Sequence, residues 1–345
     1  MFKDRIQRWT VFALLLISIG AAYRGYFVYH DEEMLNGIGN ELGLAAGHGL
    51  APFQYRVGVL WPAYFLYEHG VTFRHSFGVF DLIALTVVLL LGYRLLVRKP
   101  LYRSASLLRQ VFFSVLYCGM ASFLISWQDL YKKFETAPTA MLLMLLLWLF
   151  TSREEESPAR PERPAILTLL LVFVVSLAQA LVRAEIGMAV GLGVLGLRVF
   201  CPWARLSLSR NLSIVAAFVM MFTAGTTQLV MSRIVYPHAH YPAGAFFMLF
   251  SNLRDVFGTS AFLLMMPPLL WLYWRTWKKP LRGDGAGLAF LLGSLPFLGL
   301  WLLIGRTGEV RIFIPFGLAL LPYLCQTFSS LIPDSAPQVS VADTF

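Results

Sequence analysis

The amino-acid sequence predicts an all-α fold, a polytopic transmembrane helical bundle of about ten spans, and three observations carry that prediction. Hydrophobic residues make up 58% of the 345 residues and charged residues only 14%, too apolar a balance to cover a soluble surface. Apolar runs of near-spanning length recur along the whole chain. The formal charge of +9 is gathered in short loops beside those runs, where the positive-inside rule expects it. That placement argues for a membrane and against nucleic acid as the partner.

The first span is predicted over residues 9–29, after Lys3, Arg5 and Arg8 and before His30, Asp31, Glu32 and Glu33, which puts the amino terminus in the cytoplasm. Its basic head and apolar run read as an uncleaved signal anchor. Residues 30–76 form an outer loop carrying interfacial helices, because the apolar piece 57–67 is too short to cross about 30 Å of hydrocarbon. Residues 77–97 span fully and meet Arg98, Lys99, Arg103 and Arg109, a dense basic loop that fixes the orientation. Asp81, at the start of that span, is expected to cap or pair locally.

Residues 107–127 return outward, and 138–150 form a short Leu-rich helix back; between them QDLYKKFE reads as a charge-mixed, solvated loop containing Asp129. The polar stretch SREEESPARPERP is a cytoplasmic linker. Residues 164–182 go out and 186–200 come back around an outer turn, Arg183-Ala184-Glu185. Residues 211–231 go out, 232–255 form a longer outer loop with an interfacial stretch at 244–250, and 257–274 return to Arg275, Lys278, Lys279 and Arg282. Spans at 285–304 and 312–328 flank the outer turn GRTGEVR and leave a cytoplasmic tail at 329–345. The chain reads as one integral membrane domain, 1–345, with no internal repeat. Cys118, Cys201 and Cys325 lie far apart without CxxC spacing and imply no redox chemistry.

With this topology, Asp31, Glu32, Arg56, Arg183, Glu185, Arg306, Glu309 and Arg311 all fall near the outer face. Ionisable groups beside spans are costly unless paired or facing water, so their collection from distant stretches predicts one shared polar cavity. His238 and His240 in PHAHYP would face the same way in an extended segment, a weak metal-ligand pair.

The stretch after the first span, Asp31-Glu32 followed by Gly47-His48-Gly49, Pro52 and Tyr55-Arg56, resembles the GT-C-type integral membrane glycosyltransferases that use polyprenyl-phosphate-linked sugars. The match covers about the first hundred residues in pattern and the remainder in architecture. A second similarity, to bacterial membrane proteins of unassigned function, rests on Arg183-Ala184-Glu185, where Ala184 interrupts an Arg-Glu step, and on Glu309-Val310-Arg311-Ile312-Phe313-Ile314-Pro315.

The resemblance implies an enzyme that moves a sugar from a polyprenyl-phosphate donor to a glycan, lipid or protein acceptor at the outer face of a bacterial inner membrane. Asp31, with Glu32 second, would then act as general base or help hold a divalent metal ion. Arg56, Arg183, Arg306 and Arg311 would bind phosphate through paired hydrogen bonds, with Glu185 and Glu309 beside them. Two alternatives stay open: a transporter or flippase of a lipid-linked or small polar substrate, and a noncatalytic scaffold subunit. Midspan stretches nearly free of ionisable groups weigh against transport.

Overall fold

The computed structural model describes residues 2–24, 43–44, 47–51, 53–126, 134–151, 164–239, 248–255, 260, 263, 267, 270–275, 284–304 and 312–329. Among them every regular element is helical. The main helices are α1 (Phe2–Arg24), α2 (Val57–Glu68), α3 (Phe73–Arg98), α4 (Pro100–Arg103), α5 (Leu107–Ser126), α6 (Thr136–Phe150), α7 (Ala165–Phe200), α8 (Arg210–Val230), α9 (Leu249–Arg254), α10 (Gly285–Ile304) and α11 (Ile314–Ser329). Among the described residues, six helices are long and apolar enough to cross a membrane: Asp4–Arg24, Arg74–Arg98, Leu107–Ser126, Ala165–Phe200, Arg210–Val235 and Gly285–Ile304. Two apolar helices, Thr136–Phe150 and Ile314–Phe328, are shorter.

The short α2 covers the apolar piece expected at 57–67. It buries Val57, Val59, Leu60 and Ala63 and exposes Trp61 and Phe65. Several boundaries move: the first helix starts at Phe2 because its basic head is already helical, the helix expected at 77 starts at Phe73, and the helix expected at 138 starts at Thr136. Of the predicted span 257–274, only 260, 263, 267 and 270–274 are described, and of the interfacial stretch 244–250 only 248–250.

The 36 residues of α7 would extend about 54 Å as one rod, against about 30 Å of hydrocarbon. Arg183 resolves the mismatch by leaving the helical conformation, at φ −156° and ψ 93°. Both arms then lie along α8. In the first arm Phe173 shares a groove with Val215, Phe218 and Phe222, and Ala180 meets Ala224. In the second arm Gly191 approaches Met221 and the Ala217 carbonyl so closely that a Cβ would sit 2.6 and 2.9 Å from them. The chain therefore reverses at Arg183, giving two arms of about 27 Å or a little less.

The second arm crosses α10 where Gly193 faces Gly293, a small-residue contact of the kind that lets helix backbones meet inside a bilayer. A Cβ on Gly193 would stand 2.5 Å from the Gly293 nitrogen, so only glycine fits. Gly193→Val is expected to destabilise the bundle by about 1–3 kcal/mol or more through overpacking. Thermal unfolding in detergent checks this, and an unchanged midpoint would contradict the crossing.

Helix α6 stands at the centre, with twelve of its 15 residues buried, against α3, the first arm of α7 and α11. At one end of the bundle Lys99, between α3 and α4, pairs with Asp284 just before α10 and lies 5.1 Å over the Tyr323 ring of α11. Asp284 Oδ1 also accepts from the Gly287 amide at 3.1 Å, and Arg198 donates to Ser213 Oγ, Ala204 O and Leu208 O to close the loop joining α7 and α8. Arg183 marks the other end.

Candidate functional site

The arrangement at the Arg183 end begins with a turn. Residues 53–55 form one 3-10 turn whose buried Gln54 accepts from the Gly49 amide at 2.6 Å and donates to Leu44 O at 2.7 Å. Tyr55 donates to Ala239 O at 3.0 Å; burial raises its phenol above the ordinary value, opposed by the charge of Arg233. This anchored turn delivers Arg56 to the start of α2. Gly58, one residue into α2, then packs against Leu181 and Val182 so tightly that a Cβ would lie 2.9 Å from Val182 Cγ2. The close approach sets Arg56 beside the reversal at Arg183.

Two guanidiniums and two carboxylates meet there. Arg183 donates from Nε and Nη2 to Glu185 Oε1, both at 2.8 Å, and from Nη1 to Ile312 O at 3.4 Å. Arg56 pairs through Nη1 with Glu135 Oε1, and its Nη2 lies 3.6 Å from Glu185 Oε1. The guanidinium of Arg183 also sits 5.7 Å from the centre of the Phe297 ring, and that of Arg56 sits 4.8 Å from Phe53. Side-chain exposure separates the four groups. Arg183 and Glu135 are 5% and 4% exposed, Arg56 12%, and Glu185 31%, which makes Glu185 the carboxylate most open to a neighbouring cavity.

That cavity has a volume of about 660 Å³, within the range of small-molecule sites. Arg56, Arg183 and Glu185 supply its charged patch, Gln228, Ser232 and Arg233 add polar groups from α8 and the π-helical turn after it, and Met188, Leu229, Leu300 and Ile304 make apolar walls. Two arginines already oriented by carboxylates suit a planar or tetrahedral anion, because a guanidinium presents several N–H groups in a fixed fork. An apolar tail can run along the α8 and α10 walls.

Of the residues expected to converge, Arg56, Arg183 and Glu185 do so. Asp31, Glu32, Arg306, Glu309 and Arg311 lie outside the described residues, as do Asp129 and His240. His238 sits exposed in a turn in which the Ala239 amide bonds Tyr236 O, so the extended geometry expected of that histidine pair is not adopted at its first member. Among the described residues no group of three or more His, Cys, Asp or Glu is placed to hold a metal ion.

Two residues were misjudged from the sequence. Glu135 belongs to a stretch expected to be solvated, yet it is buried and holds Arg56. Asp81 was expected to cap or pair near the start of its helix. The cap is instead Thr72, which accepts from the His75 amide at 3.4 Å, and Asp81 is buried more than two turns along, its Oδ1 without a hydrogen-bond partner among the described residues. Searches against protein-family models, curated proteins and solved structures found no match to the chain.

Proposed function

We propose that this membrane protein is a GT-C-type glycosyltransferase, transferring a sugar from a polyprenyl-phosphate donor to a glycan, lipid or protein acceptor. The observation that carries the reading is the pairing of Arg56 and Arg183 at the charged end of a cavity whose other walls are apolar. A lipid-phosphate donor has the same two-part character: an anionic head for the guanidiniums and a hydrocarbon tail for the α8 and α10 surfaces.

In this reading the Arg183 end faces outward, both termini are cytoplasmic, and the membrane is a bacterial inner membrane. The two arms of α7, the shorter helices α6 and α11, and a crossing at 257–274 bring the six long helices to ten spans. Asp31, which falls between α1 and Arg56 in sequence, takes the acceptor hydroxyl proton as general base while the arginines hold the departing phosphate, with Glu32 next to it in the chain. Arg306, Glu309 and Arg311, which precede Ile312 in sequence, complete the anion site. A divalent metal bound by Asp31 would serve the same phosphate.

Asp31→Asn, expressed at the wild-type level, is expected to abolish the cell-surface glycan made by the intact protein. Full glycan production by that variant would remove Asp31 as the base. A second reading, a flippase or transporter of a lipid-linked substrate, is favoured by one observation, the carboxylate of Asp81 buried inside a membrane-length helix.

A further inference from the structure

Three arginines line the cavity, and Arg233 differs from the other two in that its charge is not matched. Arg56 is paired with Glu135 and lies near Glu185, and Arg183 is bonded to Glu185, whereas Arg233 has no carboxylate within ion-pair distance among the described residues. A guanidinium stays ionised at any working pH, so the positive charge left over on the cavity wall is that of Arg233. The side chain is exposed, not folded back against the protein.

The local backbone accounts for this placement. Beyond Val230 the helix widens into a π turn over Met231–Val235, closed by the Tyr236 amide donating to Met231 O at 2.8 Å. Continued as an α-helix, α8 would carry Arg233 about 100° past Ser232. The wider turn reduces the rotation per residue, and Ser232 and Arg233, neighbours in the chain, both line the cavity. The turn is anchored on the segment that delivers Arg56. Buried Met231 packs with Ala51, Tyr55 and Val57, and Trp61 Nε1 donates to Tyr236 Oη at 3.1 Å. The charge of Arg233 reaches the Tyr55 phenol, one residue from Arg56.

The same cavity opens sideways toward hydrocarbon. Helices α8 and α10 both pack along α7, whereas their contact with each other is slight, and Leu229, Leu300 and Ile304 on the two facing walls stay well exposed. Arg233 stands near the end of the membrane-length helix Arg210–Val235, the level at which lipid head groups lie. A ligand entering by this side passes apolar walls with its tail and meets an unmatched cation with its head. We propose that Arg233 is the residue that draws a lipid-borne phosphate into the cavity and pairs with it, while Arg56 and Arg183, already oriented by carboxylates, bind its remaining oxygens. This assignment rests on the reading of the cavity as a lipid-phosphate donor site and adds the residue that supplies the attraction.

The test is calorimetric binding of farnesyl phosphate, a single-chain isoprenoid phosphate, to the purified full-length protein in nonionic detergent, beside farnesol, inorganic phosphate and a short-chain phosphatidylglycerol. Arg233→Gln is expected to weaken farnesyl phosphate binding about 10-fold or more and to flatten its dependence on NaCl, because an exposed charge acts through solvent that salt screens. Arg233→Lys is expected to bind within about threefold of the unaltered protein, since it keeps the charge at a position where no carboxylate fixes the fork. Arg183→Lys, whose one ammonium is shared with Glu185, is expected to bind weakly and keep its salt dependence. Full binding by Arg233→Gln beside a loss in Arg183→Lys overturns the role of Arg233 and leaves the anion site standing, whereas no binding by the unaltered protein overturns both. A loss in Arg233→Lys as large as in Arg233→Gln overturns the role of charge. Phosphatidylglycerol binding as tight as farnesyl phosphate, and equally dependent on Arg233, supports the phosphate contact and assigns the head to a membrane phospholipid. Equal binding of inorganic phosphate, or of farnesol, overturns the lipid-borne phosphate as the ligand.

Discussion

Replacing Arg183 by lysine is expected to lower sugar transfer by about 10²-fold or more at unchanged protein abundance. The reason is geometric. Arg183 contacts Glu185 through two nitrogens at 2.8 Å, reaches Ile312 O with a third, and still borders the cavity. A lysine ammonium keeps the charge but offers one compact point, so it can hold Glu185 or an incoming phosphate and not both. The residual ion pair preserves the fold, which separates this variant from Arg183→Ala, where Glu185 loses its closest cation. Transfer from a polyprenyl-phosphate sugar in isolated membranes, with thermal unfolding as the control for folding, measures the effect. A rate within about threefold of wild type would remove Arg183 from the anion site.

The second large effect lies at the opposite end of the bundle. Lys99→Met is expected to cost about 3–5 kcal/mol, because it leaves Asp284 buried without its cation. Lys99 and Asp284 are 8% and 10% exposed, and Asp284 is further held by the Gly287 amide, so the carboxylate has little freedom to turn toward water. Adding Asp284→Asn to Lys99→Met removes the stranded charge while keeping an acceptor for Gly287, and it is expected to recover most of the loss. Chemical or thermal unfolding of the single and double variants measures the coupling. A double variant no more stable than Lys99→Met alone would show that the lysine acts through packing on Tyr323 and not through its charge.

What the sequence revealed and what it hid follow from how each residue is marked. Arg183 and Glu185 interrupt an apolar run too long for one crossing, so both the reversal of α7 and its charged tip were legible from hydropathy and length. Arg56 was legible as a cation next to a short interfacial helix. Glu135 was not: it stands in QDLYKKFE among other charges, and nothing local distinguishes a solvated carboxylate from one that meets an arginine 79 residues earlier. Asp81 is marked in the sequence but not as buried, because its burial is decided by the helices packed on α3, α6 foremost, and not by its own helix. The convergence of Asp31, Glu32, Arg306, Glu309 and Arg311 with this group falls outside the described residues.

The order of these partners along the chain has a consequence for biogenesis. Arg56 and Glu135 both precede α7, so their pair is available before the hairpin is synthesised. Arg183 and Glu185 are two residues apart at the hairpin tip and neutralise each other locally, without waiting for a later helix. A lone arginine at the centre of an inserting helix costs about 2.5–3.5 kcal/mol on translocon scales. Carried at the tip as one half of an ion pair, it enters with its charge already cancelled. The two arms of α7 are thereby suited to partition into the bilayer together behind a neutral tip, with Arg198 left at the opposite end.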